Sequence, residues 1–169
     1  VANRIGLYQQ GQAGREEATR ERLARAAERT QSERRYRNLA EAVPAIAWTA
    51  SPDGALAYVN QRFEEATGVP AGAALGEGWL EALHQDDRAR FVRRWREVVT
   101  GGGEAPAAFE VEARLRARDG AFHWHLWRAV PERLDGGPVV AWLGTATEIE
   151  SQKRAQAELV LPVLLREEF

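Results

Sequence analysis

Residues 109–126 constrain this chain more than any other stretch. Phe109, Val111, Ala113 and Leu115 alternate with Glu110, Glu112, Arg114 and Arg116. A period of two puts one set on each face of a strand, apolar inward and charged outward. Asp119-Gly120 follows, a hairpin turn in which glycine accepts a positive φ. Phe122, Trp124 and Leu126 alternate on the returning strand, and Asp135-Gly136-Gly137-Pro138 turns the chain again into Val139 to Ile149. Three antiparallel strands with one apolar face need a layer of other elements over that face.

The preceding residues supply that layer. Pro44 stops a helix, because the residue before proline avoids the helical region. Ala45 to Ser51 reads as a strand, Pro52-Asp53-Gly54 as a turn, and Ala55 to Val59 as the second strand of a hairpin. Asn60 suits an N-cap for a helix from Gln61 that ends at the C-cap residue Gly68. Pro70 to Leu83 holds short helical turns. Asp86 or Asp87 can cap a longer helix to Thr100, whose Phe91, Val92, Trp95, Val98 and Val99 form one apolar stripe. Gly101-Gly102-Gly103 ends it. The order is helix, two strands, short helices, three strands, helix, which predicts an α+β fold with an antiparallel sheet.

Helices flank this core. Arg15 to Arg37 is rich in Glu, Arg and Ala, good helix formers with few large apolar side chains. Gly11 and Gly14 are expected to weaken or break the helix before it. Ser151 can cap a last helix that Pro162 is expected to interrupt.

There is no cysteine and no methionine. The first excludes disulfides, thiolate metal sites and a cysteine adduct to a cofactor. A start at Val1 reads as a piece of a longer protein. Lys153 is the one lysine, and the Arg and Ala content fits a high-GC bacterial source. A net charge of −2 supplies no field toward nucleic acid or membrane. No apolar run reaches the roughly 20 residues of a membrane span, and no secretory leader is visible, so a cytoplasmic location is expected.

The residues in this order resemble the PAS family. Tyr36-Arg37-Asn38-Leu39-Ala40-Glu41-Ala42-Val43-Pro44 looks like its entry helix. Ser51-Pro52-Asp53-Gly54, Tyr58-Val59-Asn60, Phe63 and Thr67-Gly68 look like its first hairpin and helix. Leu83-His84-Gln85-Asp86-Asp87-Arg88 is similar to its His-Pro-Asp-Asp stretch, with Gln85 in place of proline. Arg118-Asp119-Gly120, Trp124 and Trp142-Leu143-Gly144-Thr145-Ala146-Thr147 resemble its last strands, and Glu148-Ile149-Glu150 stands where the family often has Asp-Ile-Thr. The resemblance spans about Arg34 to Glu158. It implies a five-stranded antiparallel sheet with short helices on one face, flanked by signalling helices. The expected division is a linker helix over 1–33, the PAS domain over 34–150 and a second linker helix over 151–169. Val1 to Tyr8 resembles the last helix of a GAF domain. Such tandems imply a multidomain bacterial sensor, often a histidine kinase, with diguanylate cyclases and phosphatases as alternatives.

Each candidate for chemistry has a plainer reading beside it. His123 and His125 share a strand face and could ligate a metal, but no third ligand is evident; exposed or stacking side chains are the plainer reading. His84 with Asp86 and Asp87 could do acid–base work; a helix-capping corner is plainer. Haem is disfavoured, since the helix from Asp87 to Thr100 has no histidine and His84 is a poor substitute. Flavin binding without an adduct stays open, and no cofactor is assigned. The Arg29 to Arg37 stretch alternates with Glu28 and Glu33, which fits a solvated face better than a nucleic-acid contact.

The tryptophans carry the remaining expectation. Ile46, Trp48, Phe63, Phe91, Trp95, Trp124, Leu126 and Trp142 are the candidate lining of a pocket for a small molecule, or the filling of the same space. Glu148, Ile149 and Glu150 are the candidate signal junction. A homodimer through the flanking helices is expected. The first helix has too little apolar surface to be stable alone, and Leu159-Val160-Leu161 with Val163-Leu164-Leu165 would leave an apolar patch in a monomer. No nucleophile–base pair or phosphate loop can be assembled, so no enzymatic activity is expected of this stretch.

Overall fold

The computed structural model describes residues 2–101 and 109–167, with side chains described over 4–101 and 109–160. The chain divides into two bodies, one ending at Leu39 and one beginning at Ala40. The first is most of helix α1, Ala2–Ala42. It runs unbroken through Gly11 and Gly14, so the break expected there does not occur. Its Arg-, Glu- and Ala-rich segment favours the helix, whereas each interior glycine costs about 1 kcal/mol against alanine. Ile5, Leu7, Tyr8 and Leu23 all lie exposed along it. Residues 2–8 are simply its first turns, a backbone that assigns them to no particular domain.

The second body is an α+β unit. Strands β1 (Ile46–Ala50), β2 (Leu56–Val59), β3 (Phe109–Arg116), β4 (Phe122–Arg133) and β5 (Val139–Glu148) form one sheet in the order β2-β1-β5-β4-β3. All its pairings are antiparallel. Helices α2 (Gln61–Thr67), α3 (Ala71–Ala74) and α4 (Gln85–Thr100), with a 3₁₀ turn at Gly78–Ala82, follow β2 and supply the buried Phe63, Ala74, Trp79, Phe91, Trp95 and Val98.

The register of β4 corrects the sequence reading. A two-residue turn on Asp119-Gly120 would set Leu115 opposite Trp124. The loop instead has three residues, closed by Ala117 N–H to Ala121 O at 2.8 Å, with Gly120 at φ +86°. Leu115 therefore pairs with His123, Ala113 with His125 and Val111 with Trp127. One residue of slip exchanges the faces of a strand. His125, Trp127 and Ala129 are buried in the core, whereas Trp124 and Leu126 project from the opposite face.

Side chains close the joints between elements. Asn60, expected to cap α2, makes no cap bond; its buried Nδ2 donates to the carbonyls of Ala40 and Ala45, both at 2.9 Å. The α2 N-terminus is met instead by the Glu41 carboxylate, 3.1 Å from Gln61 N through either oxygen. Gly68 ends α2 in the left-handed region at φ +74°, its N–H donating to Glu64 O, and Arg118 donates to the carbonyls of Glu64 and Glu65. His84, not Asp86 or Asp87, caps α4, its Nδ1 accepting from Asp86 N at 3.1 Å. Asp87 reaches out of the helix to Arg114 on β3. Of the expected glycine terminator, Gly102 and Gly103 lie outside the described residues. Helix α5, Glu150–Glu167, continues through Pro162 rather than breaking there, and Ser151 lies inside it.

Candidate functional site

A small cavity of about 20 Å³ lies between the sheet and the helices. Ile46, Trp48 and Ala50 of β1, Leu56 and Val59 of β2 and Trp127 of β4 form the sheet wall. Phe63, Trp79, Phe91 and Trp95 form the helical wall, and Gly54 borders it from the β1–β2 turn. The aromatic rings touch in series. Trp48 meets Trp95 edge-on at 5.5 Å and Trp127 at 6.5 Å, Trp127 meets Trp79 at 5.7 Å and Phe91 at 5.3 Å, and Trp95 meets Trp142 at 5.4 Å. The edge-to-face pairs among them, Trp48–Trp95, Trp127–Phe91 and Trp95–Trp142, add about 1 kcal/mol each beyond their burial. Trp95 Nε1 donates to Gly54 O at 3.0 Å and Trp142 Nε1 to Pro52 O at 3.4 Å, so two indoles hold the turn.

The strand-to-helix junction is gripped from both faces of the sheet. Ile149 N–H donates to Trp124 O at 2.8 Å, and the Glu150 carboxylate accepts from Trp124 N at 2.8 Å. Ile149, just before α5, thus extends the β4–β5 ladder by one backbone bond, and Glu150 at the start of α5 meets the same residue through its side chain. That backbone N–H, aided by Arg154, holds the Glu150 carboxyl below its usual range. On the core face, His123 Nδ1 lies 2.8 Å from Glu148 Oε1. On the other, Lys153 sits 4.9 Å over the Trp124 ring and pairs with Glu112. Arg114 stacks on the same ring at 4.9 Å while its guanidinium binds Asp87 at 2.9 and 3.0 Å. Burial alone would push the Asp87 carboxyl up; the Arg114 hydrogen bonds and charge outweigh it and hold it below 3.8. Burial pushes the His125 imidazole down, only partly opposed by the bond to the His123 carbonyl at 3.0 Å.

Of the eight candidate pocket residues, Ile46, Trp48, Phe63, Phe91 and Trp95 line the cavity. Trp142 is fully buried behind Trp95. Trp124 and Leu126 do not join them, for the register reason given above. Glu148, Ile149 and Glu150 come together at the junction. Sequence reading missed Trp79, Trp127 and Lys153; the last was visible as the lone lysine, one turn into the final helix. His123 and His125 do not form a metal set: among the described residues no cluster of three or more His, Asp or Glu could hold an ion. No helix among the described residues is long and apolar enough to cross a membrane.

A five-stranded antiparallel sheet wrapped on a small aromatic cavity, with a helix leaving the end of its central strand, defines a sensory domain of the PAS class. The comparisons agree. The sequence profile of the PAS fold matches residues 40–154, and the chain belongs to that family. It is 34% identical over 119 residues to protein y4lL of Sinorhizobium fredii, covering 70% of this chain and 14% of the relative. It is 30% identical over 135 residues to the peroxide stress-activated histidine kinase mak1 of Schizosaccharomyces pombe, covering 76% of this chain and 8% of that protein. The crystal structure of a sensory box histidine kinase/response regulator from Burkholderia thailandensis superposes with TM-score 0.54 at 25% identity, over 74% of this chain and 92% of that one. The chain is homologous to PAS sensor domains of histidine kinases, and it spans about a seventh or less of the two curated relatives.

Proposed function

We propose that this domain relays an input at its cavity, or from a partner, to an output domain beyond α5, most simply a histidine kinase. The observation that carries the reading is the docking of α5: Trp124 N–H and O are both satisfied by Ile149 and Glu150. A shift of β4 against β5 therefore moves the first turn of the helix. Lys153, gripping Glu112 and Trp124, adds the edge strand β3 to the same joint. The exposed apolar residues of α1, with Leu159 and Val160 on α5, favour a homodimer through the flanking helices, so that motion at the joint becomes rotation between paired helices. Leu161, Val163, Leu164 and Leu165 have side chains outside the described residues. The mak1 kinase is named for peroxide stress, but this stretch has neither cysteine nor methionine to oxidise, so peroxide is not proposed as its input.

The test is Glu150→Ala and Lys153→Met in the full-length parent, with kinase autophosphorylation measured beside hydrogen exchange of the α5 amides. A bias of about 1 kcal/mol between two states changes output roughly fivefold. Output that stays at the parental level while the α5 amides exchange faster would sink the relay.

A further inference from the structure

One buried titratable side chain has no part in the relay so far. His125 is 6% exposed on the core face of β4, opposite Ala113 of β3 and Glu148 of β5. Its Nδ1 lies 3.0 Å from the His123 carbonyl. A carbonyl only accepts, so Nδ1 carries the hydrogen and Nε2 is the atom left to take a second proton. The same carbonyl ties the ring to α5. The peptide group joining His123 to Trp124 is held at both ends, by His125 at its C=O and by the Glu150 carboxylate at its N–H, 2.8 Å away. The next carbonyl, that of Trp124, receives Ile149 N–H. Imidazole and carboxylate are thus two hydrogen bonds apart through one peptide, and bonds in such a chain polarise one another.

A proton acts on this chain in two opposed ways. An imidazolium is the stronger donor to His123 O, but it puts a full charge on a ring that water scarcely reaches. Glu148 and Glu150 attract that charge and His123 opposes it. Glu148 is already engaged by His123 at 2.8 Å, and Glu150 by Trp124 N and Arg154. On the opposite face, Arg114 and Lys153 place positive charge around Trp124. His84, from the start of α4, stands against Phe122 at 4.5 Å. Burial outweighs the attractions and holds the imidazole below its ordinary 6.5.

We propose that His125 is a pH-sensitive latch on the docking of α5: a proton taken up at Nε2 favours the state in which the ring has left the core face and α5 has let go of β4. This rests on the relay reading above and adds acidification to its inputs. The sign follows from the depressed docked value. Docking is at full strength above about pH 6.5 and weakens as pH falls through that value toward the depressed one. Between about pH 7.5 and 5.5 histidine is the side chain whose ordinary value lies in range, and the chain has three.

The test follows amide exchange of Ile149 in the ¹⁵N-labelled chain across that range, each rate being divided into the intrinsic rate of a free peptide at the same pH. The ring shifts of the three histidines are recorded on the same samples. Protection of Ile149 is expected to fall by up to roughly tenfold, the limit for one histidine whose released value is 6.5. His84→Gln and His123→Gln should keep the fall, and His125→Leu should lose it. Protection that stays level in the unsubstituted chain, or that falls with the ring of His84 or His123 instead of His125, would overturn the latch. So would a fall that persists in folded His125→Leu; the ring titrations decide the matter without that variant if it does not fold. None of these readings involves an output domain, so the relay itself is still judged by the Glu150 and Lys153 test.

Discussion

Asp87→Ala tests the joint that fastens α4, one wall of the cavity, to β3. The Asp87 side chain is 5% exposed and meets Arg114 through Nη2 at 2.9 Å, Nε at 3.0 Å and the backbone N at 2.8 Å. Removing one partner of a buried ion pair costs about 3–5 kcal/mol, because the other charge is left uncompensated. Arg114 is 27% exposed and keeps its stack on Trp124, which places the loss near the lower end, about 3 kcal/mol. That lowers the folded-to-unfolded ratio roughly 150-fold. Urea unfolding monitored by tryptophan fluorescence measures it. Arg114→Met added to Asp87→Ala should recover much of the loss, since an apolar replacement of a buried pair is close to neutral. The pH dependence has a definite sign. The Asp87 carboxyl lies lower in the folded state than its ordinary 3.8, so its contribution is complete above about pH 4 and fades as pH falls through the depressed value. The parent should lose this increment of stability in acid, and the variant has none to lose. A loss below about 1 kcal/mol for Asp87→Ala, or no recovery in the double variant, would refute the assignment of this pair as the α4–β3 fastening.

Two glycines give sharper steric predictions. Gly54→Ala places a Cβ 2.9 Å from Trp95 Nε1 on a backbone at φ +93°; it should cost about 2 kcal/mol in urea unfolding and free the Trp95 indole proton to exchange faster. Gly144→Ala drives a Cβ into the Trp48 ring and to 2.7 Å from the Arg128 carbonyl; a loss of at least about 3 kcal/mol is expected, and near-parental thermal stability would contradict the packing of Trp48 on β5.

Much of the fold was legible because independent signals coincided. Pro44, the Pro52-Asp53-Gly54 turn and Gly68 punctuate the chain where backbone geometry demands it, and β1, β2 and α2 lie between them. Caps were read less well. Asn60 has the right chemistry for an N-cap, but tertiary contact claimed its amide for Ala40 and Ala45. Glu41, 20 residues earlier in the chain, took over the helix start. Local propensity cannot anticipate a partner brought by the fold. The continuation of α5 through Pro162 is a similar case, in which the missing N–H did not end the helix.

The single register error on β4 carried the largest functional consequence. Both phases of that strand hold aromatic residues, with Phe122 and Trp124 in one and Trp127 in the other. Hydrophobicity therefore could not choose between them, and only the length of the Arg118–Gly120 loop could. Three residues rather than two place Trp127 in the wall of the cavity. The same slip places Trp124 on the outer face, where Lys153, Arg114 and the start of α5 converge on it. One hairpin thus sends one tryptophan to the pocket and another to the junction, three residues apart on a single strand. The relay proposed above requires that a displacement of β4 be felt at both places, and the sharing of this one strand is the physical route open to it.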